Sequence, residues 1–423
     1  MRVVIINKSD DTGGAAMVSR RLLDALREAG VDARMIVCER LTDSPYIATA
    51  APDWKIKKSF IAERLKILAT LRGDRTNLFK IDTAADGLPL HRHPWVLQAD
   101  VICLNWVNQG MLSLKGIRRL AALGKPIVWT MHDVWNMTGL CHHTGACDRF
   151  TETCGVCPLL TPHSTPDDLS HRVWERKKAL YDDISIHFVA VSNWLRRRAM
   201  TSTLMRHAEI SVIPNAFPIP KEVTDAERGP RNPGEVTLIF GAARLDDPIK
   251  GLPTLIETTR LLAAEKGGVA YRLITYGRLK DSTALDGIAI PHTHLGLLSG
   301  EQAIREAYLK ADIVLSTSHY ETLPGTIVEG QAYGCIPVTL DRGGQSDIID
   351  HLSTGYLARY DADTHLAAMN MADGIRWAAT RLNADTRRAM RHSVITRFEA
   401  ANIAARYIVL FDKLLSQKKS IIN

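Results

Sequence analysis

Two glutamates, Glu321 and Glu329, lie eight positions apart in the stretch SHYETLPGTIVEGQAYGCIPVTL. Pro324 and Gly325 stand between them, where the pattern predicts the start of a helix. Proline suits a first helical turn because its missing N–H would have no intrahelical partner there. The other N–H groups at such a start, together with the positive end of the helix dipole, form a site for an anion. The stretch therefore predicts a phosphate site with a carboxylate on either side.

We expect the phosphate site to comprise the residues that open the helix, namely Leu323, Pro324, Gly325 and Thr326. Glu329 falls about one turn into the helix, where its carboxylate can accept hydrogen bonds from ribose hydroxyls. Glu321 precedes the helix and can bind hydroxyls of the group that the phosphate carries. An isolated pair of this kind is more often an ordinary loop with surface glutamates, so the interpretation depends on the neighbouring motifs.

Two cations accompany the glutamates. Arg244 and Lys250 lie in the stretch GAARLDDPIKGLPTLI, which follows a predicted strand, and we expect them to bracket the same crevice. A fixed guanidinium and an ammonium suit a diphosphate leaving group, because negative charge develops on it as its bond to a sugar breaks. The pair Gly343 and Gly344 follows a later strand and permits another close approach of the backbone. These residues together predict a site for a diphosphate that carries a sugar.

This combination resembles the donor-binding half of the family 4 glycosyltransferases, which have the GT-B fold. The resemblance covers most of the chain and implies retaining transfer of a sugar from a nucleotide-diphosphate sugar. It implies that Arg244 and Lys250 contact the diphosphate, although five residues separate them where many members have four. It implies likewise that Glu321 binds hydroxyls of the donor sugar and that Glu329 binds the ribose.

The N-terminal half contains two further candidates. Gly13 and Gly14 lie between the first predicted strand and helix, where they permit close approach of phosphate or of the acceptor sugar. The family's Gly-Gly loop lies at this place, although a flexible turn is the simpler explanation and a G-x-G-x-x-G fingerprint is absent. His132 follows the predicted strand PIVWTM. By the resemblance, a histidine here bonds the transferred sugar or its surroundings, so His132 is a candidate catalytic residue.

Four cysteines cluster in the stretch CHHTGACDRFTETCGVC, namely Cys141, Cys147, Cys154 and Cys157. The last two have the spacing that lets two thiolates reach one ion, and we expect a closed structural zinc site that shapes the loop after His132. His142 or His143 can replace one thiolate. Reduced thiols without an ion, and disulfides or a redox pair, are the alternatives. A similar insertion occurs in bacterial polysaccharide-building members of the family, the colanic acid type among them.

Alternating strand-like and helix-like segments must position these residues. Apolar runs predict strands at residues 3–7, 100–105, 126–131 and 187–192, and a second series at 236–243, 271–277, 311–317 and 335–340. Such alternation is typical of parallel sheets covered on both faces. We expect an α/β fold of two Rossmann-like, doubly wound parallel-sheet domains that face each other across a cleft. Ligands of such sheets bind beyond the carboxyl ends of the strands.

The same pattern predicts the domain order. Residues 1–215 form an N-terminal, acceptor-side domain with the cysteine-rich insertion at 141–157. Residues 216–234, which are rich in proline, glycine and charge, form a linker. Residues 235–395 form the nucleotide-sugar-binding domain. Residues 396–423 form a C-terminal helix that, by the resemblance, crosses back to the N-terminal domain.

Charge, apolar runs and acidic motifs limit the ligands and the location expected for the protein. The formal charge of +7 attracts polyanions, nucleotide phosphates or anionic lipid without choosing among them. No uncharged apolar run approaches the roughly 18 residues of a membrane span, and the first apolar run is too short for a signal peptide, so we expect a cytoplasmic protein. The one Asp-x-Asp triplet, at residues 361–363, precedes a helix-like stretch and is better explained as a helix cap. We therefore expect no catalytic metal.

A basic stretch at residues 54–80 carries Ile61, Leu65, Leu68 and Leu71 on one predicted helical face. A basic amphipathic helix can lie on an anionic membrane, although a packed helix with a solvated basic face explains the pattern equally well. Docking of this kind would place the enzyme on the inner face of the cytoplasmic membrane, beside a polyprenyl-linked acceptor. No aromatic–basic interleaving indicates nucleic acid.

The sequence therefore predicts a glycosyltransferase that moves a sugar to a saccharide or lipid-linked saccharide acceptor in bacterial surface polysaccharide synthesis. A nucleotide-sugar epimerase or phosphorylase of the same architecture is one alternative, and incubation with donor alone distinguishes an epimerase. A non-catalytic scaffold stabilised by zinc is the other. The joint presence of both cations and both glutamates argues against that scaffold.

Overall fold

The computed structural model describes residues 1–229, 232, 234–265, 268–298 and 300–422. It divides into two compact units, which we call unit 1 and unit 2. Unit 1 comprises Met1–Ala216 and the segment from Ala400 onward, and unit 2 comprises Phe217–Glu399. Among the described residues, none of the helices combines the length and the apolar character that crossing a bilayer requires.

Unit 1 is built on a sheet of seven strands: β1 (Arg2–Ile6), β2 (Asp32–Val37), β3 (Ile47–Thr49), β4 (Val101–Leu104), β5 (Ile127–Met131), β6 (His187–Ala190) and β7 (Glu209–Val212). All neighbouring strands are parallel, in the order β3-β2-β1-β4-β5-β6-β7. The helices before the end of β7 are α1 (Gly14–Glu28), α2 (Asp53–Thr70), α3 (Pro94–Gln98), α4 (Leu114–Ala121), α5 (Leu169–Asp183) and α6 (Asn193–Thr201).

The first strand and helix show how the sequence forms this layer. Residues 3–6 of β1 are aliphatic and buried, as expected for a central strand that helices cover on both faces. In α1 the buried residues Leu22, Leu23 and Leu26 recur at helical spacing and turn one face of the helix to the core. Gly30 follows the helix with a φ of 83°, a conformation that glycine adopts without strain.

Unit 2 contains a sheet of six strands: β8 (Glu235–Arg244), β9 (Ala270–Arg278), β10 (His292–His294), β11 (Ile313–Ser316), β12 (Ile336–Leu340) and β13 (Tyr356–Ala358). Its helices are α7 (Asp225–Arg228), α8 (Leu252–Ala263), α9 (Glu301–Leu309), α10 (Gly325–Ala332), α11 (Thr364–Ala379) and α12 (Ala384–Phe398). The strands are again parallel, in the order β10-β9-β8-β11-β12-β13. Both sheets thus have the Rossmann-type strand order. The chain adds strands first on one side of the first strand and then on the other, and the crevice at this switch point is where such sheets bind ligands.

The chain returns to unit 1 in its last helix, α13 (Ala400–Ile422). Ile403, Tyr407 and Phe411 of α13 are buried in the same apolar cluster as Leu22 and Leu26 of α1. The buried Tyr407 hydroxyl also lies 2.9 Å from Thr130 Oγ1. α13 is therefore part of the core of unit 1.

The α/β fold class predicted from the sequence is confirmed, with two parallel sheets flanked by helices. Each of the eight predicted strands is present within two residues at either end. The sequence missed β2 and β7 and three strands of only three residues each, β3, β10 and β13. Strands this short carry too few residues to show alternation.

Candidate functional site

The candidate residues of unit 2 meet where β8 and β11, which are neighbours in the sheet, reach their carboxyl ends. The His319 backbone N–H donates to Ile249 O across 2.8 Å, and the Thr317 hydroxyl donates to Lys250 O across 2.9 Å. These bonds join the segments that follow the two strands. As a result the Lys250 ammonium donates a hydrogen bond to Glu321 Oε1 across 2.5 Å. The sequence prediction that these residues share one crevice is consistent with this contact.

Gly251 is required for this close approach. Its φ of 66° lies in the left-handed region, and a Cβ at this position would stand 2.0 Å from Thr317 O. Any side chain would therefore separate the Lys250 segment from the end of β11. The glycine after Lys250 is thus explained by packing in the site.

The second glycine pair contacts the backbone of Glu321. Gly344 N donates to Glu321 O across 2.9 Å, and a Cβ on Gly343 would stand 2.2 Å from that same oxygen. The turn after β12 can therefore lie against the turn after β11 only because Gly343 has no side chain. This contact fixes the backbone that carries the Glu321 carboxylate.

Arg244, at the end of β8, is held by two carboxylates that the sequence analysis did not single out. Its Nη2 lies 2.9 Å from Asp247 Oδ2, and its Nε lies 3.5 Å from Asp246 Oδ1. Partial burial acts to raise the pKa of Asp246, but the backbone N–H groups of Asp281 and Lys280 outweigh it and hold that pKa below its usual value. The guanidinium remains 46% exposed and can meet a ligand.

The predicted phosphate-binding turn opens α10. Pro324 stands at the N-cap position, one residue before the predicted first turn, and the helix begins at Gly325. Leu323 and Pro324 are buried, whereas Gly325 and Thr326 are half-buried. A Cβ on Gly325 would lie 3.0 Å from the Phe217 ring, so the helix start is tightly packed on one side. No side chain caps its N–H groups, which leaves them to bind an anion.

The half-buried Tyr276 and the buried Tyr308 support this turn and were not predicted. The hydroxyls of Tyr276 and Tyr308 lie 2.7 Å apart, and Tyr308 donates to Thr326 O across 3.1 Å. Burial, helped by the negative charge of Glu329, raises the pKa of both phenols well above the usual value. They therefore remain neutral donors. Gly241 leaves room for the Tyr276 ring, since a Cβ there would lie 2.0 Å from Cζ.

Unit 1 places Gly13 and Gly14 directly before and at the start of α1. Gly13 has a φ of 90°, so glycine is favoured there by backbone conformation. A Cβ on either residue would meet no atom within 4 Å. The space beside this turn is therefore open to a ligand, and packing does not explain Gly14.

His132 follows β5, and its Nε2 lies 2.8 Å from Oδ1 of Asn105, which follows the neighbouring strand β4. Burial lowers the pKa of His132 to about 4, although the carboxylate of Asp133 opposes this shift. The imidazole is therefore neutral near pH 7, and its Nε2–H donates to the amide oxygen. Asn105 orients the candidate histidine, and no local motif marked it.

A buried charge network lies behind His132. His142 Nδ1 lies 2.7 Å from Asp133 Oδ2, and its Nε2 lies 2.8 Å from Asp82 Oδ2. Burial acts to lower the pKa of His142, but the two carboxylates outweigh it and raise that pKa to about 10. Arg64 forms an ion pair with Asp82, and Trp106 Nε1 donates to Asp133 Oδ2 across 2.9 Å. The prediction that His142 can replace a thiolate is wrong, because carboxylates occupy both of its ring nitrogens.

The four clustered cysteines line one small cavity, and none of them is disulfide-bonded. Their thiols are chemically suited to a soft ion, and Gly139 N–H donates to Cys154 Sγ across 3.1 Å. In the part of the chain that the structure describes, however, no three Cys, His, Asp or Glu side chains form a group that could hold a metal ion. The thiols are suitable ligands for zinc, but in the structure they do not lie close enough together to form a metal site. Zinc at Cys141, Cys147, Cys154 and Cys157 therefore stays a prediction.

Lys177 adds a buried cation beside the cysteines. Its ammonium donates to Trp135 O and to Thr138 O across 2.5 and 2.9 Å, and lies 3.2 Å from the centroid of the Trp135 ring. Burial raises the pKa of Cys141 and Cys154 to about 11, and the positive charge of Lys177 acts in the opposite direction. Lys177 thus favours the thiolate form of these cysteines, but burial outweighs it and keeps the thiols protonated near pH 7.

The Asp-x-Asp triplet has the role expected from its position. Asp363 is the N-cap of α11, and its carboxylate accepts the backbone N–H groups of His365 and Leu366. Asp361 Oδ1 accepts the backbone N–H of Asp363 across 2.9 Å. The prediction of a helix cap is confirmed.

Models of two protein families match successive parts of the chain. The model described as Glycosyltransferase Family 4 matches residues 12–219, and the model described as Glycosyl transferases group 1 matches residues 224–380. A curated relative in Escherichia coli strain K12, assigned as the colanic acid biosynthesis glycosyl transferase WcaC, is 23% identical over 280 residues. That match spans 63% of this chain and 63% of the relative, which is less than two thirds of its length.

Solved structures share the fold across the whole chain. The lipopolysaccharide outer core galactosyltransferase WaaB in its apo form is 14% identical, with a TM-score of 0.62 over 98% of this chain and 100% of that one. Alr3699/HepE of Anabaena, solved in complex with UDP and glucose, is 15% identical, with a TM-score of 0.59 over 98% and 100%. At these identities the similarity establishes the fold alone.

Proposed function

We propose a reaction for this chain on the premise that it belongs to the family 4 glycosyltransferases and has the GT-B fold. The chain transfers a sugar from a nucleotide-diphosphate sugar to a saccharide or lipid-linked saccharide, with retention of the anomeric configuration. The contact between Lys250 and Glu321 is the observation that supports this proposal, because it joins a cation to the carboxylate for which we propose a role in binding the sugar. HepE, which shares the fold, was solved with UDP and glucose, and this supports a nucleotide-sugar donor here.

Each donor-site residue then has a defined task. Arg244 and Lys250 hold the diphosphate, together with the N–H groups at the start of α10. Glu329 accepts hydrogen bonds from the ribose. Glu321 accepts hydrogen bonds from the sugar once the diphosphate draws Lys250 away. The two cations also stabilise the negative charge that grows on the diphosphate as the sugar leaves.

The reaction breaks the bond between the sugar C1 and the diphosphate oxygen and forms a bond from C1 to the acceptor oxygen on the same face. The acceptor's proton passes to an oxygen of the leaving diphosphate, which serves as the base. His132 is neutral at pH 7 and is oriented by Asn105, so it donates or accepts a hydrogen bond without charge at the transferred sugar. Gly13 and Gly14 allow a ligand to approach the start of α1 closely.

The direct test is a panel of nucleotide-diphosphate sugars. Ligand that binds only the folded state raises its stability by about 2.7 kcal/mol at a hundredfold excess over Kd, so a thermal shift identifies the donor. Transfer from that donor to saccharide acceptors is then followed by release of the nucleoside diphosphate. An NMR spectrum of the product gives its anomeric configuration. Inversion would rule out the retaining mechanism, and conversion of donor without acceptor would indicate an epimerase.

A matched pair of variants tests the role of Glu321. Glu321→Gln keeps the size of the side chain and removes the charge, and we expect kcat to fall about 100-fold or more with an unchanged melting temperature. Glu306→Gln is the control, because this glutamate is exposed on α9, where its carboxylate accepts a hydrogen bond from Gln302. A rate for Glu321→Gln within a factor of two of wild type would remove Glu321 from the site.

We propose bacterial surface polysaccharide as the product class. WcaC is named for colanic acid biosynthesis and WaaB for the lipopolysaccharide outer core, and both names support a saccharide acceptor. Acceptors of both kinds, a free oligosaccharide and a polyprenyl-linked one, should be compared at equal concentration. A preference for the lipid-linked form of at least tenfold in kcat/KM would support the lipid-linked assignment, and equal use would contradict it.

A structural zinc ion at the four cysteines is a separate part of the proposal, and the reaction does not depend on it. Element analysis of protein purified without added metal should find about one zinc per chain. Titration of thiols in the folded protein should then find more reactive cysteines after a chelator has removed the zinc than before. Absence of zinc together with four accessible thiols would reject the site.

A further inference from the structure

α2 is anchored in unit 1 through a face that carries charge. The Glu63 carboxylate is fully buried and accepts the backbone N–H groups of Thr83 and Ala84 across 3.0 and 2.8 Å. Arg64 is also buried and donates to Leu78 O across 2.7 Å. Ile67, on the same side, is fully buried in an apolar cluster. Buried polar side chains, of types that most helices expose to solvent, therefore attach α2 to the rest of unit 1.

The opposite side of α2 exposes large apolar side chains. Trp54, Ile61 and Leu65 are 62%, 52% and 59% exposed within the whole chain. They are spaced by seven and four residues, so they lie on one line along the helix. Phe79, beyond the helix, is 59% exposed. The apolar face predicted from the sequence is thus partly wrong, because Leu71 is buried in the core instead.

The same segment carries exposed cations, namely Lys55, Lys57, Lys58, Lys66, Arg72, Arg75 and Lys80. Lys58 lies four residues after Trp54 and three before Ile61, so it stands within the apolar line itself. Asp53 and Asp74 are the exposed carboxylates of residues 53–80, and Lys66 is paired with the half-buried Asp86. The segment therefore combines exposed apolar side chains with an excess of exposed positive charge.

We propose that this α2 surface, defined by Trp54, Lys57, Lys58, Ile61 and Leu65, docks the protein on an anionic phospholipid bilayer. The apolar side chains enter the boundary between headgroups and acyl chains, and the lysines stay at the level of the phosphates. Nucleic acid would use the charge but gain little from exposed Ile61 and Leu65. A protein partner would not require the exposed cations. The combination of the two features favours lipid.

The proposal goes beyond the transfer reaction, and its link to a lipid-linked acceptor rests on the proposed function. Docking through α2 would hold unit 1 at the bilayer surface, where such an acceptor is anchored. Binding to vesicles involves no donor and no transfer. Failure of the transfer assay and failure of docking are therefore separate results.

Flotation of the purified full chain with vesicles tests the proposal. Vesicles of phosphatidylcholine alone are compared with vesicles that also contain phosphatidylglycerol, at low and at high salt. We expect binding to the anionic vesicles at low salt, weaker binding at high salt, and little binding to phosphatidylcholine. Absence of binding to anionic vesicles at low salt would overturn the proposal.

Two triple variants separate the apolar and the charged contributions. Replacing Trp54, Ile61 and Leu65 by Ser should weaken vesicle binding about 100-fold or more, since three apolar side chains no longer leave water. Replacing Lys55, Lys57 and Lys58 by Gln should weaken it about 100-fold at low salt and less at high salt. Both variants should keep the wild-type melting temperature and the wild-type rate with a soluble acceptor.

The matched control replaces Leu97 and Val409 by Ser, because these residues of unit 1 are 52% and 70% exposed and lie outside the α2 surface. Their variant should bind vesicles as the wild type does. Equal loss in the control would show a general effect of surface hydrophobicity and would overturn the proposal. The surface would instead bind a polyanion if the Ser variant still bound vesicles and if the wild type bound RNA tightly but the Gln variant did not. That result would also overturn the proposal.

Discussion

Lys250 and Glu321 form an ion pair of 2.5 Å although they lie 71 positions apart in the chain. Each follows one of two adjacent parallel strands, β8 and β11, so the sheet itself brings them together. In the proposed reaction, a diphosphate would compete with the Glu321 carboxylate for the same ammonium. Donor binding would thus convert a contact within the protein into one contact with phosphate and one with the sugar.

This pairing leads to a prediction for the double variant. Lys250→Met should lower kcat about 100- to 1,000-fold, because a cation beside the leaving group is lost. Addition of Glu321→Gln to that variant should cost much less than Glu321→Gln alone, since residues in contact are not additive. Steady-state kinetics of the four proteins measures the coupling. Lys221→Met, which changes an exposed lysine of unit 2, is the control, and strict additivity would contradict the pairing.

Arg244 should not tolerate lysine. Its guanidinium presents donors in a rigid fork, which Asp246 and Asp247 orient, whereas an ammonium is a flexible point charge. We expect Arg244→Lys to lower kcat/KM for the donor about 100-fold. Arg272→Lys provides a matched change at a guanidinium that is 55% exposed and paired with Glu235. If the two variants behaved alike, Arg244 would have no role at the diphosphate.

Two glycines with nearly the same backbone conformation allow the cost of a left-handed conformation to be distinguished from the cost of a steric clash. Gly251 and Gly296 have φ values of 66° and 68°, but a Cβ on Gly251 would stand 2.0 Å from Thr317 O and one on Gly296 would meet nothing within 4 Å. Gly296→Ala should cost about 1–2 kcal/mol for its left-handed conformation. Gly251→Ala should cost more than about 3 kcal/mol and should also displace Lys250. Denaturant unfolding and donor affinity report the two effects, and equal costs would contradict the clash.

His132 gives unit 1 a pH-dependent stability. Its pKa is about 4 in the folded protein and 6.5 when unperturbed, so the unfolded chain binds more protons between these values. Stability should therefore fall by about 3 kcal/mol as the pH drops from 6.5 to 4. His132→Gln should remove this contribution, whereas exposed His207→Gln should retain it. Urea unfolding followed by tryptophan fluorescence measures the slope, and an unchanged slope in His132→Gln would contradict the assignment.

The sequence was sufficient for the eight strands that it predicted and for the residues at their carboxyl ends. Long apolar runs mark the central strands, and parallel pairing brings whatever follows them to one edge. Lys250, Glu321 and the start of α10 could be grouped for this reason. Gly343 could be named as a site of close approach, although the oxygen that it approaches could not, and the tight contact of Gly251 was not predicted.

Contacts made between distant loops were not predictable. Asn105 bonds a histidine 27 residues away, and His142 bonds an aspartate 60 residues away. No spacing rule links such partners, because their approach depends on the whole packed unit. The face of α2 was misjudged for the same reason. Helical periodicity groups Ile61 with Leu71, but Leu71 is buried in the same cluster as Ile67 while Ile61 is exposed.

The ends of unit 2 meet each other. Phe217 N donates to Phe398 O across 3.0 Å, the two aromatic rings pack edge to face, and α13 then resumes unit 1. In genetic terms unit 2 is one uninterrupted cassette inserted into a single host domain. Recombination at two points could exchange the whole cassette, and with it the proposed donor site, without changing any residue of unit 1.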